Sequence, residues 1–126
     1  MLTQDALAAL LPHAGDMVLL DRVTAWDDSS IACSTASHRS PDNPLRRDGI
    51  VSSLCGVEYG AQAMALHGAL TTDRACRSGV LASLKAVTLH ASRLDDVDGE
   101  LTVTAECLLQ RSDSFIYRFS LQGAGI

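Results

Sequence analysis

Apolar and polar residues alternate over several short stretches of the chain, and these stretches surround one long segment that is apolar almost throughout. Alternation sends successive side chains to opposite faces of an extended backbone, so it predicts half-buried β-strands. Strands are predicted over residues 17–26, 31–37, 80–92, 101–110 and 115–121. Short polar segments at residues 27–29 and 111–114 predict two hairpin turns.

The long apolar segment covers residues 50–70 and predicts a helix, in which Glu58 is the single acidic or basic residue apart from His67. A helix that is apolar on nearly every side is a buried helix. Gly56 and Gly60 lower its helix propensity, which is consistent with strands packing closely against that face. A shorter helix is predicted over residues 2–11, with a proline ending it.

The order of elements is a short helix, two strands, the long buried helix and three strands, with a loop over residues 39–49. Strands grouped on either side of one buried helix predict an α+β fold in which an antiparallel sheet wraps around that helix. A length of 126 residues predicts a single domain over residues 1–126.

Composition narrows the classes of function. A formal net charge of -5 argues against a nucleic-acid binder, which needs a basic surface to displace counterions. The cysteines form no C-x-x-C pair and share no metal-ligand spacing with a histidine, so we expect reduced thiols, no metal and no cofactor. They are Cys33, Cys55, Cys76 and Cys107. With no leader pattern and no apolar run of membrane-spanning length, the sequence predicts a cytoplasmic protein without a membrane segment.

Glu58 is the sharpest chemical signal, because an ionised carboxylate on a buried helix is costly unless something pairs with it. The residues alone leave two interpretations open: a functional acid, or a side chain on a wet face or paired with an arginine. Gln62 lies one turn further on the same face. It either steadies the Glu58 carboxylate or is an interior amide bonded to the backbone.

His13 lies in a loop between the first helix and the first strand, and is a candidate base because histidine titrates near neutral pH. A loop histidine is more often simply solvated. His38 is kept as a second candidate, at the end of a predicted strand, whereas His67 and His90 are expected to be structural or exposed. Ser52 and Ser53 open the long helix as caps or as N–H donors at its positive end.

Two motifs resemble a known family. Leu11-Pro12-His13 followed by residues 17–23 (MVLLDRV) resembles the opening of the β-hydroxyacyl-ACP dehydratases, with pattern LPHR-x-P-hydrophobic-LL-x-DRV. Residues 56–63 (GVEYGAQA) resemble their central helix, with pattern E-x-x-AQ. Together with Asn43-Pro44-Leu45, they are similar to the short FabZ-like branch of aryl polyene and related lipid clusters.

The resemblance implies a hotdog fold and a dimer with its sites at the interface, either a homodimer or a heterodimer with a paralogue. It implies a lyase of fatty-acid or polyene-type lipid biosynthesis, in which a histidine and an acid dehydrate a 3-hydroxyacyl thioester on an acyl carrier protein. His13 would be the base and Glu58 the acid. Backbone N–H groups from Ser53 to Gly56 would polarise the thioester carbonyl, with Gln62 beside the substrate.

Three departures keep other functions open. The G-H-F-P loop of the larger dehydratases and the aromatic residue before the helix are missing, and relatives continue into one more strand where this sequence stops. The alternatives are a hotdog thioesterase and a non-catalytic subunit that binds a carrier protein or pairs with an active dehydratase. Because carrier proteins are acidic, a docking face is predicted, with a merely solvated surface as the alternative. Its residues would be Arg46, Arg47, Arg74, Arg77 and Lys85.

Overall fold

The computed structural model describes residues 6–7, 9, 18–72, 93–110 and 115–123. In these ranges it contains one long helix, Gly56–Thr72, called the central helix below. The strands are β1 (Arg22–Trp26), β2 (Ser30–Thr35), β3 (Leu101–Gln110) and β4 (Phe115–Gln122). Short 3₁₀ turns cover Ser37–Arg39 and Ser53–Cys55. The predicted α+β class is confirmed.

The described strands form one antiparallel sheet in the order β1-β2-β3-β4, so each strand pairs with its neighbour in the chain. The central helix contacts β2, β3 and β4. Alternation puts one set of side chains against the helix and the other in solvent. The inward rows of cross-strand neighbours are Ile31–Ala105–Phe119 and Cys33–Val103–Leu121. This is the sheet around a helix that the pattern predicted.

Gly60 allows the central helix and β4 to approach each other closely. A Cβ atom at this position would lie 2.2 Å from Cδ2 of Phe119 and 2.5 Å from its Cγ. Gly56 faces Leu121 more loosely, since a Cβ atom there would lie 3.4 Å from Cδ2 of that leucine. The expectation that these glycines admit strands packed against the helix is therefore confirmed.

We expect Gly60→Ala to destabilise the protein by about 1–2 kcal/mol, because overpacking against Phe119 outweighs the helix propensity that alanine adds. Gly68→Ala is the matched control, since a Cβ atom at that position would have no neighbour within 4 Å among the described residues. That variant should gain about 0.5–1 kcal/mol. Urea unfolding measures both, and a stabilised Gly60→Ala would contradict the packing described.

The central helix begins at Gly56 and not at residue 50 as predicted. Asp48 and Gly49 have φ angles of 53° and 79°, and Arg47 and Ile50 exchange backbone hydrogen bonds across them. Asp-Gly at two positive φ angles forms a tight turn that pairs Ile50 with Arg47 as an antiparallel bridge, so the helix does not begin at Ile50. Ser52 then caps the 3₁₀ turn, its hydroxyl accepting from the N–H of Leu54, as predicted for a cap.

Strand β1 begins at Arg22, whereas the predicted strand already includes residues 18–21. Residues 18–20 are buried, but the N–H and C=O of Leu19 bond to side chains and not to a neighbouring strand. His38 also differs from its prediction, because it lies in a 3₁₀ turn beyond the end of β2. In both places side-chain hydrogen bonds or a turn replace the sheet hydrogen bonds that alternation had predicted.

Asp95 joins the turn before β3 to the segment that leads into the central helix. Its Oδ1 accepts from the N–H of Val51 at 2.8 Å, and its carboxylate forms an ion pair with Arg93. Leu94 N–H donates to the carbonyl of Val51 at 2.7 Å. Only 7% of the Asp95 side chain is exposed. The hydrogen bonds from Arg93 hold the pKa of Asp95 at about 2.

Because this folded-state pKa lies below the usual value for aspartate, the contribution of Asp95 is complete above about pH 4 and is lost as the pH falls toward 2. Asp95→Asn should therefore lower the Tm by a few degrees at pH 7, and the difference from the parent should shrink below pH 4. Asp96→Asn is the control, since that side chain is 63% exposed and 3.7 Å from Arg93. A pH-independent difference would contradict the assignment.

The predicted strand 80–92, the turn at 111–114 and most of the predicted first helix lie outside the described residues, as does Cys76. Burial raises the pKa of the Cys33 thiol to about 12, so this thiol stays protonated at neutral pH.

No helix in the described ranges combines the length and the hydropathy that a membrane span requires. One domain over residues 1–126 stays a prediction.

Candidate functional site

Glu58 and Gln62 lie one turn apart near the start of the central helix. Gln62 is fully buried, and its Nε2 donates to Oε1 of Glu58 at 3.4 Å, while Glu58 is half-buried. The other end of the same carboxamide, Oε1, accepts from the N–H of Leu19 at 2.9 Å. Gln62 thus connects the Glu58 carboxylate to the segment that leads into β1. The Glu58 side chain itself is neither fully exposed to solvent nor fully buried.

The carbonyl of Leu19, like its N–H, is hydrogen-bonded to side chains. It accepts from the hydroxyl of Thr35 at 2.5 Å and from that of Ser37 at 2.6 Å. Thr35 is fully buried and Ser37 partly so. Side chains from the central helix and from the end of β2 therefore fix both backbone polar groups of Leu19, on the face that carries Glu58.

Tyr59 extends this network behind Ser37. Its hydroxyl lies 2.9 Å from Oγ of Ser37 and accepts from Nδ2 of Asn43 at 3.0 Å. Asn43 also donates to the carbonyl of Ser37 at 2.8 Å, and its Oδ1 accepts from the N–H of Leu45. Burial raises the pKa of the Tyr59 hydroxyl, so it remains a hydrogen-bond donor at neutral pH.

His13 and His90 lie outside the described residues; His38 and His67 lie within them. His38 is fully buried, its Nε2–H donates to the carbonyl of Val97 at 3.0 Å, and burial lowers its pKa. His67 is also buried: its Nε2–H donates to the carbonyl of Asp27, and its Nδ1 accepts from the hydroxyl of Tyr117 at 2.6 Å. Both serve the packing of turns and strands, as predicted for His67.

The sequence model of the ApeP-like family, described as ApeP dehydratase, matches residues 5–125. The chain belongs to the ApeP-like dehydratase family. Its fold is that of a solved structure, the dehydratase heterocomplex ApeI:P from Xenorhabdus doucetiae, with a TM-score of 0.78. The match covers 99% of this chain and 84% of that chain at 22% sequence identity. No curated protein sequence matches the chain.

Family membership confirms the predicted resemblance to the hotdog dehydratases of the short, aryl polyene cluster branch. The structure explains two of the family motifs physically. Asn43 of the Asn-Pro-hydrophobic segment and Tyr59 of the helix motif meet each other through a hydrogen bond, and Gln62 of the same motif bonds to Leu19. In this ApeP-like chain, the side chains of Asn43, Tyr59 and Gln62 contribute to a buried polar network beside Glu58.

Three of the four predicted oxyanion-binding amides are already hydrogen-bonded within the chain. The N–H of Leu54 donates to the Ser52 hydroxyl, that of Cys55 to the Ser52 carbonyl, and that of Gly56 to the Ser53 carbonyl. A 3₁₀ turn uses these donors internally, so they cannot polarise a substrate carbonyl while the turn is formed. The Ser53 side chain is half-buried and takes no part in these three hydrogen bonds.

The structure describes two of the five cations of the predicted docking face, Arg46 and Arg47. The Arg46 guanidinium donates to the backbone carbonyls of His38, Ser40 and Gly49, so it closes the loop from which it projects. Arg47 is exposed, although it bonds to the carbonyls of Pro44 and Arg46. Arg74, Arg77 and Lys85 lie outside the described residues. Of the predicted face, Arg47 is the exposed cation that the structure describes.

An open groove of about 490 Å³ runs across the strands, between the end of β1 and Arg118 of β4. Its lining includes no residue of the central helix, so it is not the site of Glu58. Among the described residues, no group of three or more histidine, cysteine, aspartate or glutamate side chains is arranged to hold a metal ion. The candidate site is therefore the surface around Glu58.

Sequence reasoning missed four parts of this site: Leu19, Thr35, Ser37 and Tyr59. Leu19 contributes only its backbone, which no residue type reveals. The hydroxyls of Thr35 and Ser37 look like ordinary strand-end residues, and Tyr59 looks like one more large residue on a buried helix. The available signal was a tyrosine on an apolar helix, because a buried hydroxyl needs a hydrogen-bond partner.

Proposed function

We propose that this ApeP-like dehydratase removes water from a 3-hydroxyacyl group carried as a thioester on an acyl carrier protein. The observation that carries the proposal is a half-buried carboxylate, Glu58, held on the central helix by a carboxamide whose orientation is fixed by Leu19. The match to a dehydratase family over residues 5–125 supports elimination of water as the reaction.

In the proposed reaction a base removes the proton α to the thioester carbonyl while an acid protonates the departing β-hydroxyl. Glu58 is the acid, or orients a water that acts as the acid, and Gln62 positions it. His13 is the proposed base, on the strength of its place in the family's opening motif. In support, Leu19, six positions after His13, is bonded to the helix turn that carries Glu58.

We place the thioester carbonyl at the start of the central helix, near Ser53 and Gly56. The positive end of the helix dipole favours the negative charge that develops on this oxygen. The half-buried Ser53 hydroxyl is the proposed donor, in place of the internally bonded amides. Gly56, packed beneath Leu121, keeps this end of the helix close to the sheet.

We infer that the working unit is an assembly of two hotdog chains, this one and a paralogue. Support comes from the structure with the same fold, which is a heterocomplex of ApeI and ApeP. The acyl carrier protein would dock through exposed cations, with Arg47 the described candidate and Lys85 a further one. An aryl polyene or related lipid pathway is the proposed context.

The decisive experiment isolates the assembly through a tag on this chain and incubates it with a 3-hydroxyacyl carrier protein. Intact-mass spectrometry of the carrier then separates the outcomes. Loss of one water with the thioester retained is the expected result, because a dehydratase leaves the acyl chain attached. Release of the free carrier thiol would instead identify a thioesterase and overturn the proposal.

A second candidate function is a non-catalytic subunit that supports an active paralogue. It is favoured by one observation, namely that the solved structure with this fold contains two different chains. The same assay distinguishes it: activity of the assembly that survives Glu58→Gln in this chain would assign the chemistry to the partner. Loss of that activity would assign it to Glu58.

A further inference from the structure

We propose that Tyr59 is a positioning residue for Glu58, acting through Ser37, the backbone of Leu19 and Gln62; this inference rests on the dehydration proposed above. Tyr59 is the largest fully buried side chain among the described residues, and it follows Glu58 directly in the sequence. Successive residues point about 100° apart around a helix, so Tyr59 does not face Glu58 directly. Its connection to Glu58 runs through the network.

The directions of the hydrogen bonds follow from one hydrogen per hydroxyl. The Leu19 carbonyl can only accept, and its two short contacts are the hydroxyls of Thr35 and Ser37. Once Ser37 donates to Leu19, its oxygen accepts from Tyr59, and the Tyr59 oxygen accepts from Asn43. The chain of donors therefore runs in one direction, from Asn43 to the Leu19 carbonyl.

On the other side of Leu19, its N–H must face an oxygen, so Oε1 of Gln62 is fixed toward the backbone. Rotating the carboxamide by half a turn would place two donors against each other. Nε2 of Gln62 is therefore directed at the Glu58 carboxylate, over a distance of 3.4 Å. The position of the Leu19 backbone therefore determines which end of the Gln62 carboxamide faces Glu58 and the distance between the two side chains.

A contact of 3.4 Å is at the long end for a hydrogen bond, so a small displacement of Leu19 breaks it. Loss of the Tyr59 hydroxyl removes the donor that directs the Ser37 hydroxyl at the Leu19 carbonyl. Ser37 then keeps only the Thr35 hydroxyl, 2.9 Å away, as a possible donor, and a Thr35 that donates to Ser37 no longer donates to Leu19. Misplacing a catalytic group by about 1 Å costs as much as 10²-fold in rate. Tyr59, Ser37 and Leu19 thus hold the acid while remaining out of contact with the substrate.

The test compares two tyrosines in the assembly isolated through this chain. Tyr59→Phe removes the hydroxyl that bonds to Ser37, and Tyr117→Phe removes the hydroxyl that donates to His67 at the far end of the helix. We expect both to lower the Tm by a similar amount. Only Tyr59→Phe should lower kcat, by about tenfold, with KM changed by less than about twofold.

A double-mutant cycle separates positioning from general loosening of the fold. In a Glu58→Gln background, Tyr59→Phe should lower the residual kcat no further, because the group that it positions is already absent. Additive losses would overturn the inference, as would equal losses from the two tyrosine variants. A third outcome separates the two proposals: the parent assembly is active, Glu58→Gln inactivates it, and Tyr59→Phe keeps the parent's kcat. That outcome would overturn the role of Tyr59 and leave the proposed function standing. A parent assembly that forms no enoyl product overturns the proposed function and the inference with it.

Discussion

Glu58→Gln is expected to lower kcat for the dehydration of a 3-hydroxyacyl carrier protein by about 10²–10⁴-fold, the usual contribution of a positioned acid or base. Glutamine has nearly the same shape but cannot donate a carboxylic proton to the departing hydroxyl. Because Glu58 is half-buried and packs at the first turn of a formed helix, the substitution should leave the fold intact. Steady-state kinetics of the purified assembly, with product detected by mass spectrometry, measures the effect.

Glu106→Gln is the matched control for this experiment. Its side chain is 54% exposed on β3 and lies 3.9 Å from Arg118, where an ion pair contributes little. We expect this variant to keep the kcat of the parent. If Glu58→Gln is as active as Glu106→Gln, the carboxylate on the central helix takes no part in the reaction.

The sheet was predictable because its periodicity is strong. Residues 101–110 were predicted as a strand and form one, since every second residue over most of that stretch is a small or apolar side chain facing the central helix. The same logic identified Gly60 as a point of close approach, which Phe119 occupies. Errors in the described chain arose where local hydrogen bonds override periodicity, as at Ile50, which pairs with Arg47 and does not begin the helix.

The candidate site was predictable only in part. A lone carboxylate on an apolar helix is visible in the sequence, and so is a glutamine one turn later, because i and i+4 residues share a helix face. The hydrogen bonds that orient Gln62 are not visible, because they come from the backbone of Leu19, more than forty residues away. The same holds for Arg46, because the sequence does not show that its guanidinium donates to backbone carbonyls of its own loop.

One consequence is that fold and site share the same residues. The end of β2, the following loop, the entry to β1 and the central helix meet at Leu19, Ser37, Asn43 and Tyr59. Buried polar networks of this kind are costly when partly satisfied and specific when complete. Substitutions behind Glu58 should therefore affect stability and activity together, and Asn43 offers the clearest case for stability.

Asn43→Ala is expected to lower the free energy of unfolding by about 2–4 kcal/mol, the largest loss of stability predicted for this protein. The Asn43 side chain makes three hydrogen bonds: it donates to the Ser37 carbonyl and to the Tyr59 hydroxyl, and it accepts from the N–H of Leu45. Alanine leaves these groups without their partner at a position only 6% exposed. Urea unfolding at pH 7 should show a lower midpoint with an unchanged m-value.

Gln122→Ala is the control, because it removes an amide of similar chemistry from an exposed position at the end of β4. An exposed substitution of this kind should change stability by less than about 0.5 kcal/mol. Equal midpoints for the two variants would mean that water or a neighbouring side chain replaces the hydrogen bonds of Asn43 at no cost. That result would contradict the description of Asn43 as part of a buried network that excludes water. A lower midpoint for Asn43→Ala alone would show that the asparagine of the Asn-Pro-hydrophobic motif stabilises the fold through its hydrogen bonds, since the proline and leucine are unchanged in that variant.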